Sequence, residues 1–74
     1  MTKVATPTRS SIRYDEVSSV LSYVGDAAFN QSEASAVWRI KRIQTTGTVL
    51  KIEWADGNDN FDNIWANRAS LSYS

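Results

Sequence analysis

One segment constrains the fold of this chain more than any other: "AVWRIKRIQTTGTVLKIEWADG", Ala36 to Gly57. Ala36, Trp38 and Ile40 alternate with Val37, Arg39 and Lys41. Leu50, Ile52 and Trp54 alternate with Val49, Lys51, Glu53 and Ala55. Successive side chains of an extended chain point to opposite faces, so period two across both runs predicts two strands. The "TTG" between them reads as a three-residue hairpin loop closed by a glycine in the left-handed region. Gly47 takes positive φ without the Cβ penalty. With Thr45–Gly47 as the loop, Gln44 faces Thr48, Trp38 faces Trp54 and Ile40 faces Ile52. With Arg42 opposite Leu50 and Lys41 opposite Lys51 left as poor matches near the turn, the register also sets Arg39 against Glu53 and Ile43 against Val49 on the other side of the ribbon. Such pairs contribute about 0.2–1 kcal/mol each. A one-residue slip would press Arg39 on Trp54 and Lys41 on Ile52. Trp38, Ile40, Gly47, Ile52 and Trp54 are therefore the expected core hairpin.

The flanking segments are read around this hairpin. Residues 1–11, "MTKVATPTRSS", hold only Val4 as a larger branched apolar group, and a flexible arm is expected. Residues 12–74 are expected to form one small domain. "VSSVLSYVG", Val17 to Gly25, is rich in β-branched and aromatic residues and predicts a strand over 17–24. Asp26–Ser35 shows no sustained periodicity, and its isolated Phe29 suits either a plug for the core or a contact with a neighbour. Phe61, Ile64 and Trp65 recur at helical spacing, which predicts a helical turn or compact loop. The closing "ASLSYS" alternates again and predicts a last strand over 69–73. The expected fold is all-β: a small antiparallel sheet, sandwich-like or a partly open barrel, with strands near 17–24, 36–44, 48–55 and 69–73.

Composition narrows the chemistry. The chain has 74 residues with no cysteine and no histidine, which excludes disulfides and zinc sites built on those ligands. Lysine plus arginine equals aspartate plus glutamate, eight each, so no net field draws the chain to nucleic acid or an anionic membrane. Arg39 and Lys41 point to one strand face and Arg42 to the other, which leaves no one-sided phosphate-binding stripe. No apolar run approaches the roughly 20 residues of a membrane span. The N-terminal stretch lacks the apolar region of a secretory signal, and synthesis in the cytoplasm is expected.

Catalysis has little support. A nucleophile or base working near neutral pH is usually a cysteine or histidine, and both are missing. The serines have no elbow or triad partner. "DGNDNFD" places Asp56, Asn58, Asn60 and Asp62 at the first four ligand positions of a calcium loop. Phe61 stands where that loop needs glycine and Asn67 where it needs a bidentate glutamate. A capped polar turn is expected there, with no metal and no other cofactor. Three tryptophans, three tyrosines and two phenylalanines are a heavy aromatic load. Trp38 and Trp54 are expected in the core. Phe29, Trp65, Arg68 and Tyr73 are the candidate interface residues, aromatics and arginine being favoured at protein contacts.

"AVWRIKRI" (Ala36–Ile43), "IEWADG" (Ile52–Gly57) and "FDNIWANRASLSY" (Phe61–Tyr73) together resemble small virion proteins of tailed bacteriophages. The resemblance covers roughly the C-terminal half. It implies a non-enzymatic structural subunit present in many copies, located on the capsid, in the neck or in the tail. Partners would be other virion proteins, with oligomerisation through β edges and the N-terminal arm. The alternative is a small adaptor or inhibitor that binds one soluble protein.

Overall fold

The computed structural model describes residues 11–74. Four antiparallel strands run in sequence order: β1 (Ser11–Ser18), β2 (Leu21–Ala27), β3 (Ala36–Thr46) and β4 (Val49–Trp54). A two-residue strand β5 (Asn63–Ile64) pairs with the start of β3, and a 3-10 helix (Trp65–Ser70) follows it. The fold is a small all-β meander. Of the expected arm, only Ser11 lies within the described residues, and it opens β1.

The strand expected over 17–24 is two strands joined by a tight turn at Ser19–Val20, with Ser18 paired to Leu21. The turn has no glycine or proline. The Val20 amide donates to Ser18 Oγ at 3.2 Å instead, the local bond by which serine closes turns. The last strand expected over 69–73 is not formed. Residues 65–70 are helical, and Tyr73 makes a single bridge to Ala55. Around that bridge Trp54 and Ser74 exchange both backbone hydrogen bonds, and the Asp56 amide donates to Ser72 O.

The central hairpin exists with a different register. Thr46 pairs with Val49, leaving Gly47 and Thr48 as a two-residue loop. Gly47 has φ 61°, and no positive φ occurs at Thr48, the pattern of a loop with glycine in its first position. Gln44 pairs with Lys51 rather than Thr48, a shift of three residues. An odd shift turns every β4 side chain to the opposite face. Trp38 and Trp54 therefore lie on opposite sides of the ribbon, and Ile52 sits across from Ile43 instead of Ile40. The reason is visible in the pairs that form. Arg42 meets Glu53 where the expected register gave it Leu50, Lys41 meets Trp54, and Lys41 and Lys51 no longer face each other.

The covered face carries Tyr23, Gly25 and Ala27 of β2 with Trp38 and Ile40 of β3, all buried. Trp65 lies on it from the 3-10 helix. Its ring centroid is 6.0 Å from that of Trp38, tilted by 40°. Tyr73 packs on Tyr23 at 5.7 Å. Gly25 admits this layer: a Cβ there would stand 2.5 Å from Trp65 Cε3. The Trp38 indole N–H donates to Ser32 O at 2.8 Å, so the long β2–β3 loop is tied to the core by its largest side chain. Arg68 bonds Asp15 at 3.0 Å and anchors the helix to β1.

Candidate interaction surface

Residues paired across adjacent antiparallel strands share a face, so the ladder fixes the membership of the second face. One row runs Tyr14, Val24, Lys41, Trp54 and the next Glu16, Ser22, Ile43, Ile52. Ile12, Asp26 and Arg39 lie on one side of these rows, Thr45 and Leu50 on the other. No described element covers this face. Ile12, Tyr14, Leu50 and Ile52 are 63%, 61%, 58% and 55% exposed. Val24, Ile43 and Trp54 are half-buried between them. Apolar side chains exposed singly are ordinary; a contiguous set on one sheet face marks an interaction site.

The polar groups on this face are mostly spent within it. Arg39 holds Asp26 with two hydrogen bonds, 3.1 and 3.2 Å, and its guanidinium lies 5.3 Å from the Trp54 ring and 4.7 Å from Phe61. Lys41 Nζ stands 5.2 Å from the Trp54 ring. Such cation–ring contacts shield the aromatic faces and fix the charged ends. The Tyr14 and Ser22 hydroxyls share a hydrogen bond of 3.2 Å. Glu16 and Lys41 are the two charges on the face that form no ion pair among the described residues. At the loop end, Ala28, Gln31, Val37 and Phe61 line a shallow depression of about 240 Å³. That is below the usual small-molecule range of roughly 300–1,000 Å³.

The candidate interface residues are dispersed. Phe29 is 72% exposed, so it does not plug the core. Trp65 is buried in the core and unavailable at the surface. Arg68 is held by Asp15 and lies 4.5 Å from the Trp65 ring centroid. Tyr73 is half-buried, and its hydroxyl donates to Arg68 O at 2.8 Å. Of the core hairpin, Trp38 and Ile40 are buried, Gly47 forms the turn, and Ile52 and Trp54 belong to the uncovered face. Ile12 and Tyr14 were legible only as alternation in "SIRYDEV", where interleaved charges hid the strand.

Elsewhere the charges serve the fold. Every described arginine holds a carboxylate: Arg13 with Glu33, Arg39 with Asp26, Arg42 with Glu53 and Arg68 with Asp15. None of these four is left unpaired for phosphate. The hydrogen bond from Arg42, then the charges of Lys51 and Arg42, hold the Glu53 carboxyl below its ordinary range against a desolvation penalty. Burial, then the neighbouring Tyr23, push the Tyr73 phenol up to about 12 despite Arg42 and Arg68. Arg42 lies 4.9 Å from the Tyr73 ring, and its buried Nε has no acceptor among the described residues. In the polar loop, Asn58 Oδ1 accepts the Asn60 amide at 2.9 Å, closing a turn with the oxygen a cation would need. No described helix is long and apolar enough to cross a membrane. Comparison with protein-family models, curated proteins and solved structures found no match.

Proposed function

We propose that this chain is a non-enzymatic assembly subunit that docks through the uncovered face of its sheet. One observation carries the reading. Ile12, Tyr14, Leu50 and Ile52 stand more than half exposed on a single face, around a half-buried centre of Val24, Ile43 and Trp54. A chain that left this face in water would gain nothing from its apolar character, whereas an assembly would bury it. The outward edge of β1 and the Val49–Glu53 part of β4 offer further sites for strand addition. The resemblance of the C-terminal half to small tailed-phage virion proteins supplies the setting: a virion structural protein present in many copies. The missing cysteine and histidine favour a binding role over turnover.

The test is quantification of the chain in purified native particles by mass spectrometry, beside incorporation of Tyr14→Lys and Ile52→Lys variants. Many copies per particle, with loss of incorporation by both folded variants, is the expected result. Absence from particles, with one-to-one binding to a single soluble protein, replaces it with the adaptor reading.

A further inference from the structure

We propose that the occupant of the uncovered face is a second copy of this chain, packed face to face about a two-fold axis to give a closed β-sandwich. This rests on the reading of that face as a docking surface and goes further by naming what docks.

The charges on the face are self-complementary. It carries Glu16 and Lys41 as its groups outside any described ion pair, and its remaining charges, Asp26 and Arg39, neutralise each other. A partner of strong net charge would leave one of the first two facing its own sign. A two-fold axis lying between the sheets and parallel to the strands sets β1 over the partner's β4 and β2 over the partner's β3. Tyr14 then stands across from the partner's Trp54. Glu16 lies one strand and one row from the partner's Lys41, within reach across sheets packed about 10 Å apart. Each bond of this kind is made twice by symmetry.

The area is sufficient. The four strands have eight, seven, eleven and six residues. At a spacing of about 4.8 Å and a rise of about 3.3 Å per residue, the face projects to about 500 Å². Two such faces reach the roughly 1,000 Å² that a specific interface requires, before side-chain relief is counted. The chain's own N-terminal residues are the poorer occupant: the ten ahead of β1 offer Met1 and Val4 as their only large apolar side chains.

Sedimentation equilibrium of the full chain, with circular dichroism as the check on folding, tests the arrangement. The wild type is expected to dimerise at sub-millimolar concentration. Glu16→Lys and Lys41→Glu should each weaken the dimer by roughly tenfold, since each sets like charges together at two equivalent places. The double variant should recover most of the loss, and Ile52→Lys should remain monomeric. A folded wild type that stays monomeric at about 1 mM, or a double variant no better than the singles, overturns the proposal. A monomer that still enters particles through this face leaves the assembly reading intact. A monomer found in no particle overturns both.

Discussion

Two glycines show how differently the same residue type can matter. Gly25 sits in a strand, and its role is steric: an added Cβ would stand 2.5 and 2.7 Å from two carbons of the Trp65 ring. The ring is packed against Trp38 and cannot retreat without opening the core. Gly25→Ala should cost about 1–3 kcal/mol, the range for overpacking a filled core. Gly47 has nothing within contact range of its would-be Cβ, but its φ of 61° favours glycine. Gly47→Ala should cost about 1 kcal/mol through backbone strain alone. Urea denaturation separates the two: adding Trp65→Ala should absorb much of the Gly25→Ala loss and leave the Gly47→Ala loss unchanged. Tyr73 makes a pH-dependent prediction. Its phenol is pushed up to about 12 in the folded chain, against about 10 when unfolded. The unfolded chain gives up that proton first, so stability is full below pH 10 and falls as pH rises toward 12. The urea midpoint should drop across that window, and Tyr73→Phe should flatten the drop.

At the scale of elements, the sequence announced a β3–β4 hairpin but not its register. Alternation identifies strands and says nothing of how they slide, because period two is preserved under any shift. The loop decides, and "TTGT" fits a three-residue loop ending at Gly47 as well as a two-residue loop starting there. What separates them is the partner of Arg42, Leu50 in one register and Glu53 in the other. A double-mutant cycle on Arg42→Met and Glu53→Gln should return a favourable coupling at neutral pH. It should vanish as pH falls below the ordinary carboxylate range, since Glu53 is held ionised by this contact in the folded state. A coupling near zero at neutral pH would remove the pair as the selector of register. β1 was illegible for a related reason. Its apolar residues Ile12 and Tyr14 point to the uncovered face, and its inner face carries Arg13 and Asp15, which serve Trp38 and Arg68. A strand with charges facing its core side does not look like a core strand. The 3-10 helix was half legible: the spacing of Phe61, Ile64 and Trp65 suggested a turn, but alternation in "ASLSYS" favoured a strand that the 3-10 helix and the Arg68–Asp15 bond replace.

At the scale of the whole molecule, the sheet is a single layer that the described residues cover on one face. The buried hydrophobic core of the described residues comprises Tyr23, Ala27, Trp38 and Ile40 of the strands and Ala55 just after β4, with Trp65 laid over them from the 3-10 helix. A small chain without disulfides has few means of adding stability, and pairing with another copy is one of them. If the second face is closed by a partner copy, folding and dimerisation are linked, and the melting temperature must depend on chain concentration. Mass action then contributes about 1.4 kcal/mol per two-chain unit for each tenfold rise in concentration, or about 0.7 kcal/mol per chain. In a domain of this size 1 kcal/mol moves the midpoint by about 4–8 °C, so the expected rise is about 3–5 °C per tenfold. Differential scanning calorimetry over two decades of concentration would resolve it. Ile52→Lys removes an apolar side chain from the face and places a charge there, at a position that touches no core residue. It should melt at the same temperature at every concentration, meeting the wild-type value at the dilute end. A wild-type midpoint that stays fixed over the same range would mean that the sheet is stable with its second face in water.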